Sequence, residues 1–89
     1  MSGPLALDLS RDALKFLDTL PPKQFRQVVQ KVFSLLREPH PPDSKLLKGA
    51  PYYRTDAGEY RIIYEVQGEA LRVFTIGKRN DGEVYRHLG

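Results

Sequence analysis

Basic residues recur at short intervals in the second half of the chain, inside and beside segments rich in aromatic and β-branched residues. Arg54 and Arg61 lie within such segments, and Lys78 and Arg79 directly follow another one. Guanidinium groups match the geometry of phosphate oxygens, and a tyrosine such as Tyr85 can stack on a nucleobase. The pattern therefore predicts binding of nucleic-acid phosphates, although a solvated charged face would produce the same pattern.

The full set of candidate binding residues is spread over three segments, 44–49, 52–66 and 76–86. The formal net charge of the chain is only +3, so anion binding has to depend on which face of the fold the charges share. The candidates are Lys45, Lys48, Arg54, Arg61, Lys78, Arg79, Tyr85 and Arg86.

Several classes of protein are excluded by composition. The 89 residues contain no cysteine, and the two histidines, His40 and His87, lie far apart in the chain. Disulfides and thiolate chemistry are therefore excluded, and we expect neither a metal site nor a cofactor.

No apolar run approaches the roughly 18 residues that cross a bilayer, and the N-terminus lacks the basic region of a signal peptide. We expect a cytoplasmic protein with a single domain over residues 1–89.

Hydrophobic periodicity predicts a short strand over residues 5–9 and then two helices. Ser10 is a favourable N-cap for the first helix. Pro21 and Pro22 separate the two helices, and the second helix should end before Pro39. The aromatic residues expected in the core are Phe16, Phe25, Phe33, Tyr60 and Tyr64.

The second half predicts three strands, over residues 52–56, 59–67 and 70–76, separated by Gly58 and Gly68. Their connections are short enough for antiparallel hairpins. The predicted fold class is therefore α+β, in the order β-α-α-β-β-β. We expect an antiparallel sheet with the N-terminal helical hairpin packed on one face.

Strand pairing gives the basic residues a common face. Two-residue turns at positions 57–58 and 68–69 would place Arg54 directly opposite Arg61. Like charges that face each other on a sheet are destabilising, so this pair would favour a bound anion. Alternation puts Tyr60 on the other face, under the helices.

The sequence resembles the RelE/ParE toxin superfamily of type II toxin–antitoxin systems, and within it the RelE-type mRNA interferases. The resemblance covers nearly the whole chain, including the helical hairpin at 13–39, the segment at 45–66 and the end at 73–86. Its most specific part is GEYRIIYEV followed by IGKR and VYR. The tyrosine of VYR, Tyr85, is typical of the RNA-cutting branch.

The resemblance implies metal-independent cleavage of mRNA, usually in the ribosomal A site, by attack of a 2′-hydroxyl on the adjacent phosphate. Arg61 would then stabilise charge on the phosphate, Arg79 would act near the leaving 5′-oxygen, and Tyr85 would orient the nucleotide. Arg54 would occupy a position that is usually basic. The resemblance also implies a cognate antitoxin and a hetero-oligomeric toxin–antitoxin complex. General contacts to RNA would come from Lys45, Lys48, Lys78 and Arg86.

One position departs from the resemblance. RelE-type members tend to have a lysine two residues after the position of Arg54, as a candidate general base, whereas this chain has Asp56 there. The general base is therefore left open among Asp56, Lys45, Lys48 and His87. Two alternatives also stay open, a gyrase-inhibiting toxin of the same fold and a catalytically weak relic that binds its antitoxin and regulates their operon.

Overall fold

The structure is a computed structural model that describes residues 4–79. In chain order the elements are β1 (Ala6–Leu9), α1 (Arg11–Asp18), α2 (Pro22–Arg37), β2 (Lys45–Leu46), β3 (Tyr53–Ala57), β4 (Tyr60–Gln67) and β5 (Ala70–Lys78). The strands form one sheet in the order β1-β5-β4-β3-β2. Within residues 4–79, neither helix is both long and apolar enough to span a membrane.

The predicted α+β class and the helix pair that precedes the main hairpins are confirmed. Two features of the sheet were not predicted. The first strand, β1, runs parallel to β5, so the sheet is mixed and not antiparallel throughout. The chain between them, which includes both helices and three strands, provides the crossover that a parallel pair requires. The second feature is the short strand β2, which pairs with β3 and extends the sheet by one strand.

Local sequence determines where the helices begin and end. The Ser10 hydroxyl accepts a hydrogen bond from the Ala13 backbone N–H at 3.0 Å, which caps α1. The same hydroxyl donates to the carbonyl of Phe74 on β5, so the cap also attaches α1 to the sheet. Helix α2 starts at Pro22, where the missing N–H costs nothing, and ends two residues before Pro39.

The core lies between the helices and one face of the sheet. Helix α1 packs on β5 and α2 contacts β3. Tyr60 is 7% exposed and meets the ring of Phe16 edge to face at 5.8 Å, and Tyr64 is fully buried, as predicted. The other large buried side chains of the core are Leu17, Val28, Val32, Leu35, Ile62, Leu71, Val73 and Ile76.

The prediction that Phe25 and Phe33 lie in the core is wrong. Their exposed fractions are 42% and 54%. The apolar arc of α2 is wider than the surface the sheet can cover, because Val28, Val32 and Leu35 already fill the sheet-facing stripe. The two phenylalanines belong to a neighbouring stripe that is turned away from the sheet.

Both main hairpins have two-residue turns with glycine at the first central position. Gly58 and Gly68 have φ values of +62° and +61°, as type II′ turns require at that position. The predicted turn at 68–69 is confirmed, whereas the first turn consists of Gly58 and Glu59 and starts one residue later than predicted.

This one-residue difference changes the partner of Arg61. Arg61 lies opposite Asp56, and Arg54 lies opposite Ile63, so the predicted pair of facing arginines on β3 and β4 is wrong. A turn displaced by one residue moves each cross-strand partner by two residues, which preserves the faces. Tyr60 therefore remains under the helices, as predicted.

A β-bulge interrupts the β4–β5 ladder. Tyr64 lies opposite Val73 and Ile63 lies opposite Thr75, which leaves Phe74 as the extra residue. The bulge exchanges the faces of β5 beyond this point, so that Ile76 packs in the core while Thr75 shares the face of Ile63.

Candidate functional site

Both described helices pack on the same face of the sheet, and three of the predicted site residues, Lys45, Arg54 and Arg61, lie on the other face. We call this second face the open face. Its side chains are those of Asp8, Lys45, Tyr52, Arg54, Asp56, Arg61, Ile63, Glu65, Arg72, Phe74 and Thr75.

Asp56 lies between two arginines at one end of the open face. Arg61 Nε donates to Asp56 Oδ1 at 2.9 Å, and Arg79 Nη1 lies 3.9 Å from Asp56 Oδ2. Arg61 is positioned by β4, and Arg79, just beyond β5, is anchored by its backbone N–H to the carbonyl of Glu59 at 2.9 Å. The side chains of Arg61, Asp56 and Arg79 are 17%, 29% and 50% exposed. The guanidinium groups of Arg61 and Arg79 thus converge on the Asp56 carboxylate, which is partly accessible to solvent.

A second pair of basic residues lies beside this cluster. Lys45 on β2 is directly opposite Arg54 on β3, so two like charges do face each other on the sheet. Such a pair is destabilising in the absence of a counter-anion. Sequence reasoning missed the pair because β2 is only two residues long and has no apolar periodicity. Together with Arg61 and Arg79, the pair makes this end of the open face basic.

The remaining predicted site residues do not join this cluster. Lys78 is exposed and lies opposite Tyr60, so its position belongs to the helix face of the sheet. Lys48 lies in the turn after β2 and is exposed. Tyr85 and Arg86 lie outside the described residues.

The candidates for the general base are sorted in part by these positions. Asp56 and Lys45 both lie on the open face, and both oxygens of Asp56 already face guanidinium groups. Lys48 is outside the strands, and His87 lies outside the described residues. Among residues 4–79, no three histidine, aspartate or glutamate side chains come close enough together to hold a metal ion.

An aromatic pair crosses the middle of the open face. The rings of Tyr52 and Phe74 meet edge to face with centroids 4.4 Å apart, and the Arg72 guanidinium lies 5.5 Å from the Phe74 ring centroid. Arg72 is held in turn by Asp8, with Nε 3.3 Å from the carboxylate. Phe74 is in β5 and Tyr52 directly precedes β3, so the two rings flank β4, which accounts for the complete burial of Ile63 on this face. Alternation along β5 puts Phe74 on the same face as Arg72, but sequence reasoning missed its contact with Tyr52 because the two residues lie on either side of β4.

A hydrogen-bond network on the other side of β3 fixes the strand that carries Asp56. Asp43 accepts hydrogen bonds from the Thr55 hydroxyl at 2.6 Å and from Lys31 Nζ at 3.1 Å. The hydrogen bond from Thr55 is the main cause that lowers the pKa of Asp43 below its ordinary value. Tyr64 donates its hydroxyl to the carbonyl of Pro39, and burial raises the pKa of Tyr64 to about 12. These contacts attach the loop before β2 to α2 and the sheet.

A second surface lies on the helix side of the molecule. It is a groove of about 290 Å³ between α1, α2 and β1, and its lining is almost entirely apolar. We call it the apolar groove. It is lined by Leu7, Leu9, Leu14, Leu17, Asp18, Phe25, Val29, Val32 and Phe33.

Solved structures of toxin–antitoxin systems share this fold. The RelBE2 toxin–antitoxin complex from Mycobacterium tuberculosis has a chain 27% identical to this one, with a TM-score of 0.77, covering 91% of this chain and 98% of that chain. The E. coli toxin RelE with two substituted arginines, in the free state, is 26% identical, with a TM-score of 0.81 over 96% and 94% of the two chains. A chain of the chromosomal ParDE system of P. aeruginosa, 15% identical with a TM-score of 0.71 over 86% and 98%, shows the fold alone.

A comparison with curated protein sequences finds no match. The family model described as the ParE toxin of the type II toxin–antitoxin system parDE matches residues 7–82, which is most of the chain. The match includes both helices and every strand from β2 to β5. The chain therefore belongs to the ParE toxin family, within the RelE/ParE superfamily, and is the toxin of a type II toxin–antitoxin module whose partner is a cognate antitoxin.

Proposed function

We propose that this toxin is a metal-independent endoribonuclease that cuts mRNA on the ribosome and thereby inhibits translation. The observation that carries the proposal is the convergence of Arg61 and Arg79 on Asp56, beside the like-charged pair of Lys45 and Arg54. Several guanidinium groups that lie close together on an exposed sheet face can bind one phosphate of an RNA chain.

In the proposed reaction the 2′-oxygen of a nucleotide forms a bond to the adjacent phosphorus, and the bond from phosphorus to the 5′-oxygen breaks. The products are a 2′,3′-cyclic phosphate and a 5′-hydroxyl. Arg61 stabilises the negative charge that develops on the non-bridging oxygens, and Arg79 acts at the leaving 5′-oxygen. Arg54 holds a flanking phosphate, and Tyr85 orients the nucleobase. Loss of one such preorganised donor lowers kcat by about 10²–10³.

Two proton transfers complete the balance. The general base removes the proton of the 2′-hydroxyl, and the 5′-oxygen takes a proton from solvent water as it leaves. The base then returns its proton to the solvent. Lys45 is the preferred candidate because it lies on the open face, whereas both oxygens of Asp56 already face guanidinium groups. Asp56, Lys48 and His87 remain the alternatives. Single substitutions of these four residues, assayed for the pH dependence of cleavage, identify the base.

The proposal is tested with purified toxin, free of antitoxin, added to a cell-free translation reaction. We expect mRNA fragments with 5′-hydroxyl ends, and we expect cleavage to persist when a chelator is present at matched free magnesium. Arg61→Ala should be inactive. Arg26→Ala removes the same charge from the exposed surface of α2 and should stay active. A requirement for one specific divalent ion at constant free magnesium would contradict metal independence.

A gyrase-inhibiting toxin of the same fold is the second candidate function, and the match to the ParE toxin model favours it. The two candidates differ in a direct assay. Inhibition of DNA supercoiling by purified toxin, with mRNA left intact in the translation reaction, would establish the second candidate and exclude the first.

For the antitoxin we propose an amphipathic segment that packs its apolar side chains into the apolar groove. Leu14, Phe25 and Phe33 are 48%, 42% and 54% exposed there, an unusual concentration of large apolar side chains on the surface of a small domain. The related chain from Mycobacterium tuberculosis comes from a toxin–antitoxin complex, which supports a bound antitoxin segment as the occupant.

A further inference from the structure

Asp56 brings together two side chains that come from different parts of the chain. Arg61 is in β4 and Arg79 follows β5, and each of them faces a different oxygen of the Asp56 carboxylate, at 2.9 and 3.9 Å. Asp56 itself is placed by β3, directly opposite Arg61 in the ladder. The carboxylate is thus a bridge between three segments.

Without such a bridge the two guanidinium groups would repel each other. The Arg61 side chain is only 17% exposed, so solvent screens the repulsion there less than at an open surface. Arg79 is half exposed and is anchored through its backbone N–H, which leaves its side chain free to choose among many conformations in the absence of an attractive partner. The Asp56 charge selects the conformations in which Arg79 approaches Arg61.

We propose that Asp56 is a positioning residue of the proposed cleavage site, which holds Arg61 and Arg79 at the spacing at which both contact one RNA phosphate. The inference rests on the proposed function for what the arginines do, but its geometric part stands by itself. A carboxylate near the phosphate also opposes RNA binding by charge. Neutralising Asp56 should therefore slow cleavage while leaving RNA binding unchanged or making it tighter.

The first test is Asp56→Asn, which keeps an oxygen that can accept from Arg61 and removes the charge. We expect kcat for mRNA cleavage to fall about 10- to 100-fold, the range for a displacement of about 1 Å in a catalytic group. The affinity for a non-cleavable 2′-deoxy oligonucleotide should stay the same or rise. In NMR spectra of the free toxin, the Nε–H resonances of Arg61 and Arg79 should both shift.

Glu65→Gln is the matched control. Glu65 is on the same face of β4 and lies opposite Arg72, and its substitution makes the same change in charge. This variant should bind RNA at least as tightly as wild type and keep its kcat. A second variant, Asp56→Glu, keeps the charge and moves the carboxylate by one methylene. It should bind RNA like wild type and cut it more slowly.

Unchanged kcat in both Asp56→Asn and Asp56→Glu, together with unmoved arginine resonances, would overturn the inference. An equal fall in kcat in Glu65→Gln would also overturn it, because charge alone would then explain the effect. Absence of RNA cleavage by the wild-type toxin would instead remove the proposed function. The arginine resonances of Asp56→Asn would still decide whether the carboxylate positions the two side chains.

Discussion

Arg61 and Tyr60 are neighbours in the chain but have opposite surroundings. Tyr60 is buried against Phe16 under the helices, whereas Arg61 is on the open face beside Asp56. Strand alternation separates them completely, because successive side chains of β4 point to opposite faces. A substitution at one position should therefore affect stability, and a substitution at the other should affect function.

Arg61→Ala should abolish growth arrest at a small cost in stability. The predicted facing pair of Arg54 and Arg61 would have left stability unchanged or raised in this variant by relief of repulsion, but the cross-strand partner of Arg61 is Asp56. Loss of this partly exposed ion pair should cost about 1 kcal/mol, since a second arginine still accompanies Asp56. Thermal unfolding and toxin induction in cells measure the two effects.

Tyr60→Ala is the contrasting variant on the other face. It removes a large side chain that is 7% exposed, so we expect a loss of roughly 3–5 kcal/mol in the free energy of unfolding. A much lower melting temperature for Arg61→Ala than for Tyr60→Ala would contradict the assignment of the faces. Full toxicity of a folded Arg61→Ala variant would contradict its catalytic role.

Tyr64 makes stability depend on pH in the alkaline range. Its phenol ionises near pH 10 in the unfolded chain, whereas burial raises its pKa to about 12 in the folded protein. Above pH 10 the unfolded state loses this proton first, so the stabilisation is complete below pH 10 and is lost as the pH rises toward 12. The loss should be about 1 kcal/mol at pH 11 and should grow as the pH approaches 12. Urea denaturation of wild type and Tyr64→Phe at pH 8 and pH 11 measures it, and an equal alkaline loss in the variant refutes the assignment to Tyr64.

At the scale of the elements, the turn between β3 and β4 decides which residues meet on the open face. Gly58 adopts φ +62° at the first central position of this turn, and the register that follows pairs Asp56 with Arg61. Gly68 plays the same part between β4 and β5 with φ +61°. The two turns are alike in geometry, but only the first one joins the strands that carry Asp56 and Arg61.

Gly58→Ala and Gly68→Ala should both destabilise the protein, by about 1–2 kcal/mol, because an L-residue is strained at these φ values. The cost should be slightly larger at Gly58, where a new Cβ would lie 2.5 Å from Nε2 of Gln27, a flexible side chain that can move away; at Gly68 nothing lies within 4 Å. Only Gly58→Ala should also reduce RNA cleavage, since only this turn sets the position of Asp56. Chemical denaturation and the cleavage assay compare the variants, and equal activity in both would contradict a role for this turn.

At the scale of the whole molecule, two surfaces of different chemistry lie on different sides of the sheet. The open face is basic at the end formed by Lys45, Arg54, Arg61 and Arg79, whereas the apolar groove lies among the helices and β1. An antitoxin segment in the groove, as proposed, contacts none of the residues of the proposed cleavage site. Antitoxin affinity and RNA cleavage should therefore be separable by substitution.

Phe33→Gln should weaken antitoxin binding by at least about 10-fold, the effect of removing roughly 1.4 kcal/mol or more of apolar burial. Toxicity should persist, because Phe33 is 54% exposed and distant from the open face, so cells that also express the antitoxin should no longer be protected. Leu46→Gln is the control, since Leu46 is 59% exposed on β2 and does not line the groove. Unchanged antitoxin affinity in Phe33→Gln would place the antitoxin elsewhere.

Features of the fold that depend on local periodicity and local caps can be predicted from the sequence. The α+β class, the Ser10 cap, the break at Pro21 and the two faces of β4 all follow from such patterns, and they remained correct when the register differed. Periodicity of two places Tyr60 inside and Arg61 outside whichever residue lies opposite. The resemblance that located Arg61 and Arg79 also depends only on the linear sequence.

The tertiary structure decided which side chains meet across strands. The partner of Arg61 depends on the turn type, which positive φ at Gly58 fixes. The aromatic pair of the open face joins Tyr52 and Phe74 across β4, and the bulge at Phe74 turns Ile76 into the core. The short strand β2 forms because β3 offers it an edge, and it alone creates the Lys45–Arg54 pair. These features join residues far apart in the chain, so their energies arise only when the sheet is assembled, and no local pattern encodes them.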